Sequence, residues 1–238
     1  WIGVLLLAVA WPISRSIRDR PEDYGQHPDG ALPSEQQQAN LPQQQRQVYN
    51  SPDRDRLASD QLDFTAREAL RTSAFWYITF GHALSSMLFS TLKVHLVLLM
   101  TDQGLSLQAA AYMWSVLMVS GAVFLPVGGY IGDRIPKTLA IFGFVTLQSI
   151  GFLLTAFAQS MPIAILAVVL YGAGFGGRDP LTSSIRGDYF GRSAFATITG
   201  ISMMPLFAVN LAAPLFAAIM FDTQGSYTIS FVILGGLG

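Results

Sequence analysis

Residues 109–137 read AAAYMWSVLMVSGAVFLPVGGYIGDRIPK, a long uncharged run followed directly by a charged turn. The uncharged part, 109–131, reaches the roughly 20 apolar residues that an α-helix needs to span the hydrocarbon of a bilayer. In hydrocarbon such a segment must be helical, because its backbone groups find hydrogen-bond partners only within the segment. The stretch therefore predicts a membrane helix that ends at a polar loop.

Similar apolar runs occur along most of the chain. The ranges near spanning length are 74–100, 109–131, 138–158, 161–177 and 194–220. Residues 1–14 and 228–238 are also apolar but too short to span, so they are interpreted as partial helices. Apolar residues make up 51% of the chain and charged residues 12%, against about 25% charged in a soluble domain. We predict an all-α, polytopic membrane bundle over residues 73–238.

Residues 15–72 have a different composition, with most of the charges, several prolines and two glutamine triplets. Such a segment buries too little apolar surface to offset its ordering entropy, which predicts a largely disordered linker. Residues 59–71 form either coil or a short amphipathic helix with Leu62, Ala66 and Leu70 on one face.

Lysine and arginine are unevenly distributed over the loops. Every Lys and Arg except Lys93 lies in the linker or in the two loops on its side, 133–137 and 178–192. The loops on the opposite side carry none, so the positive-inside rule makes the linker cytoplasmic. We expect an integral protein of the plasma (inner) membrane.

Two loop motifs resemble a known family. Residues 129–138, GYIGDRIPKT, resemble the G-x-x-x-D-R-x-G-R/K-R/K signature of the major facilitator superfamily, departing from it at Pro136 and Thr138. Residues 187–192, GDYFGR, resemble the D-Y-F-G-R-R stretch before helix 11 in the oxalate/formate and monocarboxylate branches. The resemblance implies the C-terminal six-helix half of a twelve-helix transporter, with helices 7–11 whole and helices 6 and 12 partial.

The same resemblance implies gating residues at the cytoplasmic face. They are Gly129, Asp133, Arg134, Lys137, Asp188 and Arg192. An acid at a membrane edge accepts hydrogen bonds from a helix N-terminus and pairs with a base, which would hold an inner gate closed. Ordinary topogenic loop charge is the alternative for the 133–137 loop. Arg178 is expected to join Asp188 and Arg192 in a cytoplasmic network.

Helix 7 carries a polar stripe. His82, Ser86, Phe89 and Lys93 follow at spacings of four, three and four residues, which places them on one helical face. Lys93 is the only non-histidine base in the predicted spans, which contain no Asp or Glu. It either lines a water-filled path and meets an anionic substrate, or snorkels towards the headgroups.

Two further polar residues are candidates for substrate binding. Asn210 either donates to a substrate carboxylate or bonds a neighbouring helix. His95 lies about 200° around helix 7 from Lys93 and has either a substrate-binding or an interfacial role. Gly172 and Gly176 form a small-x-x-x-small pair, which indicates helix packing, with a hinge as the alternative.

These features favour a secondary active transporter that moves a small solute, such as a monocarboxylate, by alternating access. A drug or amphiphile exporter and a non-transporting sensor are the alternatives. The expected partners are a small-molecule substrate with a co-transported proton or exchanged anion, the bilayer, and the missing N-terminal half. No cofactor or metal is expected. The helices offer little for acid–base chemistry, so we expect no enzyme, and a net charge of −1 gives no reason to expect nucleic acid.

Sidedness is testable because the chain contains no cysteine. A Gln44→Cys variant should react with a membrane-impermeant maleimide only after the cells are permeabilised. A cysteine at Gln108, in a loop predicted to lie outside, should react in intact cells. Labelling of Gln44→Cys in intact cells would place the linker outside.

Overall fold

The computed structural model describes residues 64–191 and 194–238, and every regular element in these ranges is an α-helix. The helices are α1 Ala66–Ala69, α2 Ser73–Asp102, α3 Leu107–Gly132, α4 Lys137–Thr155, α5 Met161–Phe190, α6 Phe195–Gln224 and α7 Thr228–Leu237. The predicted partial helix at 1–14 and most of the predicted linker lie outside the described residues.

Five helices, α2 to α6, are long and apolar enough to cross a membrane. The all-helical membrane bundle predicted from the apolar runs is confirmed. The helix starts follow local chemistry: the Thr72 and Ser106 hydroxyls accept hydrogen bonds from the backbone N–H groups of Phe75 and Ala109. At the other end of α6, Gly225 has a φ of 67° and closes the helix in the left-handed conformation that glycine adopts freely.

The extent of α5 differs from the sequence prediction. The fourth apolar run ends at Gly177, and Arg178, Asp179 and Pro180 were interpreted as the beginning of a loop. Instead, α5 continues to Phe190. Pro180 removes one backbone donor without ending the helix. Helix α5 therefore carries two carboxylates, Asp179 and Asp188, and Asp102 and Asp222 lie in the last turns of α2 and α6, so the expectation that the helices contain none is wrong.

The short helix α1 fixes the end of the linker. Thr65 and Glu68 form a capping box in which each side chain satisfies a backbone N–H of the other. The hydrogen bonds from Thr65 lower the pKa of the Glu68 carboxyl. Phe64 donates its backbone N–H to the Phe190 carbonyl at 3.1 Å, and their rings meet edge to face. Residues 59–63 of the segment with the amphipathic alternative lie outside the described residues, and within 64–71 the helix is a single turn, Ala66–Ala69.

Helix α5 lies at the centre, with α3 and α4 packed against it, while α2 pairs with α6 and α7 contacts α4 and α6. Glycines make the close contacts of α5. A Cβ on Gly176 would collide with the Gly121 carbonyl of α3, and one on Gly174 would collide with the backbone of Gln148 on α4. In lipid, helices associate largely by such close packing. The packing role expected for Gly172 and Gly176 is confirmed.

A buried polar cluster joins α2, α4 and α5. The Gln148 amide donates to the Ser85 carbonyl at 2.9 Å and to the Tyr171 hydroxyl at 3.1 Å, and the Ser85 hydroxyl donates to the Gln148 carbonyl oxygen. All three residues are buried. Interhelical hydrogen bonds of this kind fix the mutual register of the helices.

The glycine contact gives a stability prediction. Gly176→Ala should lower the free energy of unfolding by about 1–3 kcal/mol, because the added methyl forces α3 and α5 apart. The measurement is reversible unfolding in mixed micelles. Gly143→Ala on α4 is the control, since a Cβ there meets nothing within 4 Å. Equal stability of the two variants would contradict the packing argument.

Candidate functional site

The polar stripe on α2 is half-buried at His82, Ser86 and Phe89 and exposed at Lys93. At 1.5 Å per residue, Phe89 lies about 24 Å from the start of a helix about 45 Å long, and Phe175 is similarly central in α5. Their rings stack at a centroid distance of 4.5 Å with an interplanar angle of 4°. The Phe89–Phe175 stack therefore lies near the middle of both helices.

His82 contacts an arginine of α5. Arg186 Nη2 donates to His82 Nδ1 at 2.7 Å. A guanidinium is always a donor, so Nδ1 is the acceptor and the ring carries its proton on Nε2. His82 is therefore a neutral ring with one N–H left to donate. Sequence reasoning placed His82 on a path-lining face but did not foresee this partner, because Arg186 was assigned to a loop.

Arg178 lies inside the bundle and not in a cytoplasmic loop. Arg178 is 2% exposed and Arg186 3% exposed. Nε and Nη1 of Arg178, and Nε of Arg186, are buried with no hydrogen-bond partner in the described part of the chain. The guanidinium of Arg178 lies 5.8 Å from the Phe175 ring centroid. The expected network of Arg178 with Asp188 does not form.

A cavity of about 360 Å³ lies between α2, α4 and α5 and is bordered by Gly238, the residue that follows α7. Its polar lining comes from His82 and Arg178 together with the hydroxyl-bearing residues Tyr77, Thr138 and Thr182. Most of the remaining wall is aliphatic or aromatic.

Ser86 and Asn210 are brought together by the structure. The Asn210 amide nitrogen donates to the Ser86 hydroxyl at 3.1 Å, joining α6 to α2. The Asn210 amide oxygen is buried and has no hydrogen-bond partner among the residues described. Of the two roles left open for Asn210, the interhelical bond is present, and its oxygen still has the capacity to accept another.

Lys93 is exposed and lies about 6 Å beyond Phe89 along α2. It forms no ion pair within residues 64–191 and 194–238, where the single ion pair joins Lys137 to Asp188. His95 lies apart from the stripe: it is buried, and its Nε2 is 3.0 Å from the Pro214 carbonyl of α6. The carbonyl can only accept, so Nε2 donates and His95 acts in helix packing here.

The residues of the two loop motifs separate into two groups. Lys137 Nζ lies 2.5 Å from Asp188 Oδ2 and also donates to the Ser184 hydroxyl, which ties the start of α4 to the end of α5. Asp133 ends α3 and is exposed. Arg134 folds back over the Tyr130 ring at 3.5 Å and donates to its carbonyl. Gly129 has open space where a Cβ would lie, and Arg192 lies outside the described residues.

Sequence reasoning missed Arg178, Arg186 and Asp179 as helical residues. Arg178 and Arg186 are eight residues apart, a spacing that would place them on neighbouring faces of one helix and so could have indicated that the helix continues. The charged Arg178-Asp179-Pro180 sequence concealed that signal, because it has the composition of a loop.

The five membrane-length helices define a polytopic membrane protein. The sequence profile of the Major Facilitator Superfamily matches residues 2–185 and also residues 78–238. The chain belongs to this superfamily, and the family predicted from the two loop motifs is confirmed.

Several relatives are named monocarboxylate transporters. Monocarboxylate transporter 13 of Rattus norvegicus is 30% identical over 145 residues, which cover 60% of this chain and 34% of the relative. Monocarboxylate transporter 11 of Homo sapiens is 27% identical over 197 residues, covering 79% of this chain and 41% of the relative. The chain thus spans less than half the length of these relatives.

The Lys137–Asp188 pair should contribute little to stability on its own. The side chains are 26% and 54% exposed, so solvent screens the attraction. A double-mutant cycle with Lys137→Met and Asp188→Asn should give a coupling free energy of about 0.5 kcal/mol in mixed micelles. A cycle with Asp133→Asn in place of Asp188→Asn should give a coupling near zero. Equal couplings in the two cycles would contradict the assignment of Asp188 as the partner.

Proposed function

We propose that this protein is part of a secondary active transporter that moves a small organic anion, such as a monocarboxylate, by alternating access. The observation that carries the proposal is unpaired positive charge in the helices. Lys93, Arg178 and Arg186 lie within α2 and α5, and none pairs with a carboxylate among the described residues. Charge inside a membrane bundle is costly unless it faces a cavity or a partner.

An anionic substrate would supply the missing partner. The carboxylates of α5, Asp179 and Asp188, form no ion pair with Arg178 or Arg186 within the described ranges, and Asp179 is exposed. The names of the relatives agree with a carboxylate substrate. Lys93 is assigned to the outer part of the path, with Ser86, Asn210 and His82 on the same wall. His95 is given a supporting place beside this wall through its contact with α6.

Alternating access assigns the cytoplasmic residues to the inner gate. Lys137 and Asp188 already hold α4 against α5, so they would move as one body. Asp133 and Arg134 are exposed, and Gly129, one turn before Asp133, is half-buried; all three are assigned to contacts with the other half of the transporter. Arg192 is placed with them on the basis of the loop motif. A co-transported proton or an exchanged anion would balance the charge that is moved.

Transport is tested with the complete natural protein in proteoliposomes. Uptake of radiolabelled lactate, oxalate and benzoate is compared with uptake of the neutral amides. At least one carboxylate should enter well above protein-free liposomes, and its amide should not. Lys93→Ala should slow that uptake about tenfold or more, because it removes the cation of the outer wall, whereas Lys93→Arg should retain most of it.

The controls distinguish the role of Lys93 from carboxylate transport by the protein as a whole. Arg71→Gln removes an exposed charge before α2 and should leave uptake unchanged. Unchanged uptake in Lys93→Ala would exclude Lys93 from the path. Uptake of amides or cationic amphiphiles in preference to every carboxylate would contradict the organic-anion proposal and favour an exporter of amphiphiles.

A further inference from the structure

We infer that His95 is the residue that binds the co-transported proton, taking it up on Nδ1 from the end of the bundle where α2 stops at Asp102. The inference rests on the proposed function and decides between the two ions left open there, a proton and an exchanged anion. One proton and one carboxylate moving together carry no net charge, so their joint passage does no work against the membrane potential.

The first argument is a free lone pair on the His95 ring. Nε2 lies 3.0 Å from the Pro214 carbonyl, which can only accept, so the neutral ring has its proton on Nε2 and its lone pair on Nδ1. Nδ1 is buried and has no hydrogen-bond partner in the described part of the chain. The Nδ1 of His82 instead accepts from Arg186. Of these two helical histidines, His95 is the one whose basic nitrogen is open to a proton.

The second argument is that the groups in contact with the ring favour a positive charge. The Tyr227 ring centroid lies 5.0 Å from that of His95, within the range of a cation–π interaction. The hydrogen bond to the Pro214 carbonyl becomes stronger when the donor is charged. Pro214 has no N–H, so the Asn210 carbonyl one turn earlier in α6 lacks its helical donor and adds negative potential.

The third argument is the charge on the elements packed around His95. Helix α7 carries no titratable residue, α3 carries no charged residue, and Asp222 is the only titratable residue of α6. On α2 itself, Asp102 lies two turns beyond His95 on the same face, whereas Lys93 lies about 200° around the helix and His82 about 20 Å before it. The nearest charges at this end of the bundle are therefore negative.

The effect of these two acids extends to the neighbour of His95. Burial raises the pKa of the Tyr227 hydroxyl, and the charges of Asp102 and Asp222 raise it further. Tyr227 is the N-cap of α7 and its ring contacts His95, so the negative potential of both acids extends to the surroundings of the imidazole. A potential that opposes a phenolate favours an imidazolium, because the charge has the opposite sign.

The fourth argument is the connection between His95 and the proposed substrate wall. Two hydrogen bonds join α2 to α6, one from His95 to Pro214 and one between Ser86 and Asn210. Asn210 and Pro214 are one helical turn apart. A proton on His95 strengthens the first bond and thereby holds the turn that carries Asn210 against α2. Proton binding and substrate binding would thus act on the same turn of α6.

The transport test uses the complete natural protein in proteoliposomes, with the carboxylate that is taken up best. His95→Gln is the main variant, because its amide still donates to the Pro214 carbonyl but binds no proton near neutral pH. An inward proton gradient should stimulate wild-type uptake fivefold or more and His95→Gln uptake less than twofold. Uptake without the gradient should stay within threefold of wild type. His27→Gln, a histidine of the predicted linker, is the matched control and should keep the full stimulation.

A second measurement detects the proton directly and needs no transport. In nitrogen-15 NMR spectra of the histidine-labelled complete protein in liposomes, the His95 signals are those absent from His95→Gln. Between pH 8 and pH 5 they should change from one protonated ring nitrogen to two. Replacing both Asp102 and Asp222 by Asn should lower the midpoint by about 0.3–1 pH unit, because the imidazolium loses two favourable charges roughly 10 Å away. Melting temperature and size-exclusion profile establish that each variant is folded.

The outcomes separate this inference from the proposed function. A His95 ring that stays neutral down to pH 5 would overturn the inference, whatever the protein transports. Full proton stimulation in folded His95→Gln, or its equal loss in His27→Gln, would also overturn it and leave carboxylate transport standing. A ring that titrates in a protein that takes up no carboxylate would support His95 as a proton site and overturn the transport proposal.

Discussion

The close approach of α5 to its neighbours is the interaction on which the rest of the bundle depends. Gly176 lies directly against the Gly121 backbone of α3, and Gly174 lies against the α4 backbone. In a membrane, no difference in hydrophobicity between lipid and helix drives these surfaces together, so association depends on how closely the backbones pack. Once α5 is held on both sides, its remaining face is directed towards α2. That placement determines the positions of Phe175, Arg178 and Arg186. Phe175 stacks on Phe89, and Arg186 donates a hydrogen bond to His82.

The number, order and approximate ends of most helices were predictable because they depend on hydrophobicity, which each residue contributes independently of its neighbours in space. A run such as 109–131 is excluded from water whatever its neighbours are, and α3 covers it as Leu107–Gly132. The two loop motifs were sufficient to predict the family for a similar reason, because each is a short continuous stretch of sequence. The end of α5 was not predictable in this way. Arg178 and Pro180 have low local preference for a membrane helix, and tertiary burial against α2 and α4 overrides that preference.

Only part of the candidate site could be predicted from the sequence. Helical spacing correctly grouped His82, Ser86, Phe89 and Lys93 on α2, but spacing carries no information about which neighbouring helix faces each residue. The structure divides the stripe among three helices: Arg186 of α5 meets His82, Asn210 of α6 meets Ser86, and Trp114 of α3 joins Phe175 around Phe89. His95 illustrates the same limit, because a residue two positions from Lys93 contacts α6.

The charged residues in the second half of α5 act differently because their surroundings differ. Near Phe190, Asp188 is partly exposed and meets Lys137 in water-accessible surroundings, so the pair is screened and its main effect is geometric. Arg178 and Arg186 are buried and screened far less, and each retains an N–H with no partner among the described residues. An anion that enters there meets an attraction that water does not weaken. One helix thereby carries a solvent-screened ion pair near Phe190 and two buried arginines whose charge water screens far less.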